Sequence, residues 1–322
     1  MINLVGVNIG GTKVSICLGN SQGEIIGRKR LKISNLGKAD KGLPKIIECI
    51  HHLLKEYHVS LKQIHGMGLA LPGPLSVKRG TLIAPPNLPG WENLPIVQYF
   101  QEYFDLPIFM NNDANSEALA EWEFGQAKHI DNLVYLTMST GVGGGIVIQK
   151  TLLMGKSDSA GEVGHFVLDP QGPKCPCGQR GCFEVFCGGG NIARIVKEKV
   201  AKGAKTTIVE EAGSVEKIDM QSIIIAMQKE DSLATHIWET YIERLAQGIG
   251  ILLMVLNPDA IILGTIAMHA KELLMTPLLA ALPRFSWGPP LKHCSIQASS
   301  LGDKIGDLGA LSVAVNGLKG VH

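Results

Sequence analysis

The chain has 322 residues, of which 45% are hydrophobic and 18% are charged, and its formal net charge is +1. This near-neutral balance provides neither a basic surface for nucleic acid nor a polybasic patch for a membrane, so we expect neither partner. The apolar runs are too short to span a bilayer and the N-terminus does not resemble a signal peptide, so we expect a cytoplasmic protein. A chain of this length is expected to form two domains.

The first half of the chain alternates strands, glycine turns and helices. Leu4 to Val7 and Val14 to Leu18 are predicted strands, joined by the turn Gly10-Gly11-Thr12-Lys13. The elements predicted after them are a strand at Glu24–Leu31, a helix at 44–58, strands at Ile64–Leu71 and Pro107–Met110, and a helix from about Ala114 to Phe124.

The second half opens in the same way as the first. Leu133 to Met138 is a predicted strand, Ser139 to Gly145 a glycine turn, and Ile146 to Ile148 a second strand. Two halves that open alike indicate duplicated α/β domains that flank a cleft. The elements predicted after them are helices at 188–202, 219–229 and 231–256, a strand at Ala260–Leu263 that runs into Gly264, and a closing helix at 305–318.

The middle of the chain carries residues at metal-ligand spacing. Three thiols and one imidazole fall within eighteen residues: His165, Cys175, Cys177 and Cys182. This set suits tetrahedral zinc, because thiolate and neutral imidazole match a borderline-soft ion. The seven cysteines are an odd number, and four of them are clustered, which favours a metal over a disulfide framework. We expect a structural zinc that positions neighbouring carboxylates; the alternative is a zinc that only holds a loop together.

The two glycine turns have the composition of phosphate-binding loops. Small residues, hydroxyls and exposed N–H groups admit phosphate oxygens closely. Gly10-Gly11-Thr12-Lys13 adds a lysine charge, and Ser139-Thr140-Gly141 adds two hydroxyl donors. One such turn alone is more often a simple hairpin, but a turn at the head of each half favours a nucleoside triphosphate ligand.

Asp113 is the candidate general base. It follows a predicted strand and precedes a helix, where a carboxylate could accept a proton from a hydroxyl that attacks a phosphoryl group. The alternative is that Asp113 is the N-cap of this helix. The residues whose amide, carboxylate and imidazole groups suit a polyhydroxy ligand are Asn87, Asn112, Glu162, His165 and Glu184.

Several motifs together resemble the ROK family of bacterial sugar kinases, repressors and open reading frames. They run in order along nearly the whole chain: Val7 to Lys13, Leu71 to Pro74, Ala84 to Trp91, Asn112 to Asn115, Thr140 to Gly145, Gly161 to His165, and Cys175 to Glu184. The resemblance implies an actin-like ATPase (ribonuclease H-like) α/β fold, with ATP and Mg²⁺ as well as structural Zn²⁺. It further implies a homodimer or homotetramer. The implied domains are 1–112 plus 303–322, with the first phosphate loop, and 113–302, with the second loop and the zinc site.

The resemblance also assigns roles to residues at matching positions. It makes Asp113 the base that deprotonates the C6 hydroxyl of a hexose, most closely glucose, as in the glucokinase branch. The implied sugar-binding residues are Gly73, Asn87, Asn112, Asp113, Glu162, His165 and Glu184. The implied nucleotide-binding residues are Gly10, Gly11, Thr12, Lys13, Thr140, Gly141 and Gly264. The implied zinc ligands are His165, Cys175, Cys177 and Cys182.

Two positions depart from the family pattern. Asn8 stands where an aspartate that helps to position magnesium is usual, which predicts a weakened or metal-demanding kinase. Thr265 stands after Gly264 where a second glycine is usual, which leaves the nucleotide preference open.

Three alternatives to a glucokinase remain open from the sequence. One is a kinase for N-acetylmannosamine or N-acetylglucosamine, whose branches share the zinc cluster. The second is a non-catalytic sugar sensor, suggested by Asn8. The third is a sugar-responsive repressor; such proteins carry a DNA-binding module ahead of the first glycine turn, which here begins near residue 8, so we expect no binding of nucleic acid.

Overall fold

The computed structural model of the chain describes residues 2–320. The chain divides into two compact units. The first comprises the chain up to Tyr135, Gly145–Gly161 and the segment from Ser300 onward; the second comprises Leu136–Gly144 and Glu162–Ser299. The domains expected from the sequence, 1–112 plus 303–322 and 113–302, change over at other points, and that division stays a prediction. Residues 1, 321 and 322 of it lie outside the described residues.

Strands open both halves of the chain. In order they are β1 (Asn3–Ile9), β2 (Lys13–Asn20), β3 (Ile25–Lys32), β4 (Ile64–Leu71), β5 (Leu75–Ser76), β6 (Thr81–Leu82), β7 (Ile108–Asn112), β8 (Leu133–Met138), β9 (Val142–Ile148), β10 (Thr151–Leu152), β11 (Ala260–Leu263) and β12 (Ser295–Ala298).

Helices follow or connect these strands. In order they are α1 (Ala39–Glu56), α2 (Ile96–Gln101), α3 (Asp113–Phe124), α4 (Phe183–Cys187), α5 (Gly189–Ala201), α6 (Ile208–Ala212), α7 (Met220–Gln228), α8 (Ser232–Leu256), α9 (Ile266–His269), α10 (Lys271–Ala281), α11 (Gly288–His293) and α12 (Ile305–Lys319).

The first sheet has the strand order β3-β2-β1-β4-β7. β1 pairs with β2 in antiparallel fashion, so that Asn8 lies opposite Ser15, whereas β4 is parallel to both β1 and β7. The strands β1, β2 and β4 are buried on both faces because helices cover them, with α1 packed against β2 and α12 against β1 and β4. The edge strand β3 is mostly half-buried or exposed. β1 and β7 therefore end at the same edge of the sheet, which brings Asn8 and Asn112 to that edge.

The second sheet has the strand order β10-β9-β8-β11-β12. Its edge pair β11 and β12 is parallel, and Gly264, directly after β11, donates its N–H to the carbonyl of Leu136 on β8 at 2.8 Å. The long helix α8 packs against α4, α7 and α10 and supplies much of the apolar core of the second unit.

The predicted strand–glycine turn–strand pattern is present at the start of both halves, and the helices predicted at 188–202, 219–229, 231–256 and 305–318 are present as α5, α7, α8 and α12. The predicted turn from Ser139 to Gly145 is shorter than expected, because β9 already begins at Val142. The helix predicted at 44–58 begins earlier, at Ala39, with Pro44 inside it. Pro44 removes one backbone hydrogen bond, but the buried side chains of Leu43, Ile46 and Ile47 hold the extra turn on the sheet. The segment between β11 and β12 forms three short helices that the sequence pattern does not specify.

Among the described residues, no helix combines the length and the apolar character that crossing a bilayer requires.

Candidate functional site

The first glycine turn joins β1 to β2 and lies against Asn87. The Gly10 N–H donates to the carbonyl of Lys13 at 2.9 Å and closes the turn. A Cβ on Gly11 would lie 3.1 Å from the Cβ of Asn87, so two segments far apart in sequence meet here. Thr12 and Lys13 are exposed beside them. The turn that is predicted to bind phosphate therefore lies next to Asn87, which is predicted to bind the sugar.

Asn8 lies at the end of β1, next to the first turn of α12. A Cβ on Gly306 would lie 2.1 Å from Nδ2 of Asn8, so the glycine is what allows the helix this close. The N-terminus of a helix carries partial positive charge. A carboxylate at position 8 would be stabilised there, and the neutral amide forgoes that interaction.

Asp113 is exposed at the first position of α3, and it is not the cap of that helix. The cap is Asn112, whose Oδ1 accepts the backbone N–H of Asn115 at 2.7 Å. The Asp113 Oδ1 accepts the N–H of Ala114 at 2.8 Å. Because Asn112 fills the capping role, the alternative explanation for Asp113 loses its support, and an exposed carboxylate is left at the strand end. The side-chain oxygen of Asn112, a predicted sugar-binding residue, is therefore occupied by the helix cap. Gly73, another predicted sugar-binding residue, lies just after the end of β4.

The second glycine turn, between β8 and β9, is held against the start of α5. The N–H of Gly189 donates to the carbonyl of Ser139 at 2.8 Å, and that of Gly190 donates to the carbonyl of Thr140 at 2.9 Å. The positive end of the α5 dipole is thereby placed beside this turn. Sequence reasoning did not assign a role to Gly189 and Gly190, although the Gly188-Gly189-Gly190 run was a usable signal for a close backbone approach.

A cavity of about 400 Å³ adjoins this turn within the second unit. Its lining includes Ser139, Thr140, Gly189, Gly190, Lys197, Asp219 and Ile266. Gly264 lies nearby in sequence, and Thr265 after it has φ +43° and ψ −95°. This conformation strains a β-branched residue. The Thr265 hydroxyl lies 3.4 Å from that of Thr137 on β8.

Three segments lie close together in the second unit: Glu184, the turn before β9 and the Glu162–His165 turn. The N–H of Val142 donates to Oε2 of Glu184 at 3.1 Å, and a Cβ on Gly141 would lie 2.3 Å from the same oxygen. A Cβ on Gly164 would lie 2.1 Å from the carbonyl oxygen of Val142. The Glu184 carboxylate is thus fixed by the second glycine turn itself, a coupling that the sequence does not show.

The four predicted zinc ligands come together in the second unit. The Sγ atoms of Cys177 and Cys182 are 3.6 Å apart, and Cys175 Sγ is 3.8 Å from Nδ1 of His165. All four ligand atoms lie within 4.8 Å of one another. A tetrahedron with zinc–sulfur bonds of about 2.3 Å has edges of about 3.8 Å. The spacing and the donor set therefore fit a four-coordinate zinc.

Backbone hydrogen bonds and a glycine turn fix the conformation of the loop that carries the cysteines. The Cys175 N–H donates to the carbonyl of Gln179 at 2.9 Å, and Gly178 closes the turn with φ +98°. Burial raises the pKa of Cys182 to about 12, whereas the backbone N–H of Gln179 lowers the pKa of Cys177. Since zinc binds thiolates, metal binding must displace protons from this cluster, and affinity must fall as the pH falls.

The chain is similar to known proteins along almost its whole length. A family model described as the ROK family matches residues 4–316. A glucokinase from Thermotoga maritima is 30% identical over 312 residues, which are 97% of this chain and 97% of that protein. A xylose repressor from Caldicellulosiruptor bescii is 28% identical over 98% of this chain and 78% of its own length.

A solved structure of a ROK family protein has a similar fold. The ROK family glucokinase from Streptomyces griseus, in complex with glucose and AMPPNP, aligns with a TM-score of 0.79 and 26% identity over 98% of this chain and 99% of that one. The predicted fold class, an α/β protein with the two-domain actin-like ATPase fold, is confirmed. The relatives include both a glucokinase and a xylose repressor, so the similarity alone does not assign an activity to this chain.

Proposed function

This chain belongs to the ROK family, and on that premise we propose that it is a sugar kinase that transfers the terminal phosphoryl group of ATP to the C6 hydroxyl of a hexose. Glucose is the first candidate, because the Thermotoga maritima relative and the Streptomyces griseus structure are both glucokinases. The observation that carries the proposal is Asp113, an exposed carboxylate at a strand end whose capping role is filled by its neighbour Asn112.

Asp113 acts as the general base. Its carboxylate accepts the C6 hydroxyl proton as the sugar oxygen bonds to the γ-phosphorus of ATP, and the bond from that phosphorus to the bridging oxygen breaks to release ADP. Such a base contributes about 10²- to 10⁴-fold to the rate. The remaining acceleration comes from positioning and from charge stabilisation of the transferred oxygens.

Each unit supplies one phosphate loop. In the first, Gly10, Gly11, Thr12 and Lys13 offer backbone N–H groups, a hydroxyl and an ammonium. In the second, Thr140 and Gly141 lie beside the positive end of α5 and the cavity of about 400 Å³. Gly264, after β11, completes the proposed nucleotide-binding residues, and Mg²⁺ would supply charge neutralisation of the transferred phosphate.

Sugar hydroxyls bind Gly73, Asn87, Asn112, Glu162, His165 and Glu184 in this proposal. His165, Cys175, Cys177 and Cys182 hold the zinc, which supplies a fixed point that orients the imidazole and the adjoining turn. The contact from Val142 N–H to Glu184 supports a coupling between the sugar-binding carboxylate and the phosphate loop.

Restoring the acid at position 8 is expected to improve the enzyme. Asn8→Asp should raise kcat or lower the Mg²⁺ concentration for half-maximal rate, by up to about a hundredfold, because one charge near a metal is worth up to roughly 3 kcal/mol. The measurement is kcat as a function of Mg²⁺, with Asn8→Ala as the matched control. If Asn8→Asp changes neither quantity, position 8 has no part in magnesium use.

Displacing Glu184 through its neighbour is expected to weaken sugar binding. Gly141→Ala puts a methyl group 2.3 Å from the present position of Glu184 Oε2, so the carboxylate must move, and KM for the hexose should rise roughly tenfold or more. Gly288→Ala is the control, since nothing lies within 4 Å of a Cβ there. Steady-state kinetics with unchanged KM in both variants would remove Glu184 from the sugar site.

Two alternatives differ in what they predict. An N-acetylmannosamine or N-acetylglucosamine kinase would use the same residues on an amino sugar. A non-catalytic sugar sensor is favoured by Asn8 and by the similarity to a xylose repressor. It would bind a sugar without turning over ATP. The predicted homodimer or homotetramer is independent of this choice and stays a prediction.

The deciding experiment is a coupled ADP-release assay with ATP, Mg²⁺ and a sugar panel of glucose, mannose, fructose, N-acetylglucosamine and N-acetylmannosamine. Turnover with glucose supports the glucokinase proposal, and turnover with an amino sugar alone moves the protein to the alternative kinase. Absence of turnover in folded, zinc-loaded protein that still binds a sugar by calorimetry would establish the sensor.

A further inference from the structure

One cavity of the first unit is lined by none of the predicted site residues. Its volume is about 700 Å³, which is within the size range of small-molecule sites. Its walls are the β5–β6 hairpin, α2, β7, α3, the β10 segment and the end of α12. The lining residues that matter here are Lys78, Arg79, Phe109, Lys150, Leu152 and Lys319.

The charged side chains that line this cavity are all cationic. Lys78, Arg79, Lys150 and Lys319 line it, and no aspartate or glutamate is among the described residues that do so. Lys150 pairs with Asp131 at 3.3 Å and Lys319 pairs with Glu123 at 2.5 Å, and neither of these acids lines the cavity. Lys78 and Arg79 are exposed and form no ion pair with any described residue. The Asp158 carboxylate accepts the N–H of Val77, next to them in the chain, at 2.9 Å. The two cations outnumber this one carboxylate and favour an anion.

The floor of the cavity is apolar. Val97, Phe109, Leu152 and Met154 are partly buried there. The Phe109 ring lies directly on Gly317 of α12, since a Cβ on that glycine would be 2.2 Å from the ring. An inorganic anion would satisfy the basic mouth and leave this apolar surface in water, so the complementary ligand has an apolar body as well as a charge.

The cavity also touches the segment that carries Asp113. Asn111 lines it, and Nδ2 of Asn111 lies 3.5 Å from Sδ of Met154. The Asn111 Oδ1 accepts the N–H of Asn112 at 2.9 Å and Nδ2 of Asn115 at 3.0 Å. A ligand that shifts Met154 would therefore act on the residues next to Asp113.

We propose that this cavity binds an amphipathic organic anion, with the anionic group at Lys78 and Arg79 and the apolar body on Phe109 and Leu152. This inference does not depend on the proposed kinase activity, because it uses other residues and a binding measurement.

The test uses 8-anilinonaphthalene-1-sulfonate as the probe and the full chain, with affinity and stoichiometry measured by calorimetry and fluorescence. Saturable binding of one probe per chain is expected. The double variant Lys78→Glu, Arg79→Glu should bind it roughly tenfold more weakly. The control, Lys41→Glu with Lys62→Glu, makes the same charge change at exposed first-unit positions outside the cavity and should bind normally.

Two further probes separate the charged and apolar parts. N-phenyl-1-naphthylamine, which lacks the sulfonate, should bind much more weakly, and sulfate at equal ionic strength should not displace the probe. Equal affinity of the two double variants, equal binding of the neutral probe, displacement by sulfate, or no binding would each overturn the proposal. A change of oligomeric state on charge reversal would assign the cavity to an interface between copies instead.

Discussion

Asp113→Asn is expected to reduce kcat for the preferred hexose by about 10²- to 10⁴-fold, the usual contribution of a positioned general base. The substitution is isosteric and removes the negative charge together with the ability to accept a proton. The cap of α3 is Asn112 rather than Asp113, so the helix should keep its start and the protein its stability. Hexose affinity, measured by calorimetry without ATP, should change little, because the lost function belongs to the transition state.

The matched control for this prediction is Asp105→Asn, which removes another exposed carboxylate of the first unit. It should have normal kcat in the ADP-release assay. An Asp113→Asn protein that retains kcat within a few-fold of that of the unmodified protein would show that the proton leaves by another route. The sugar-binding measurement separates this outcome from a damaged site.

Cys182→Ala is expected to abolish zinc binding and to lower both the melting temperature and the hexose affinity. Structural zinc contributes on the order of 10 kcal/mol of binding free energy in small zinc domains, and that free energy stabilises the fold. Here the loss would release the cysteine loop and His165, which would then no longer be fixed beside Glu162. Zinc content by elemental analysis, thermal unfolding and sugar calorimetry are the three measurements.

Cys187→Ala provides the control, because Cys187 and Cys182 are both fully buried and only Cys182 belongs to the cluster. The two variants leave similar cavities, so the difference between them reports the metal. The exposed ligand Cys177 gives a further check, since Cys177→Ala should lose zinc without opening a buried cavity. Loss of zinc with unchanged sugar affinity would mean that the metal only holds its loop together.

The sequence was most informative where function depends on local spacing. The two strand–glycine turn–strand units, the long helix α8 and the cluster of His165 with three cysteines could all be predicted, and the structure contains each of them. Periodicity and turn chemistry are encoded within a few neighbouring residues, so they can be read without knowing the fold. For the same reason the sequence could propose Asp113 but not separate a base from a helix cap.

The tertiary structure decided what depends on segments far apart in the chain. It made Asn112 the cap of α3, placed Asn87 on the Gly11 turn, and fixed Glu184 by the N–H of Val142. It also formed the basic cavity from six separate segments. Such contacts form when packed sheets and helices bring distant residues within hydrogen-bond reach. Their partners are set by the burial of the whole unit rather than by any local pattern.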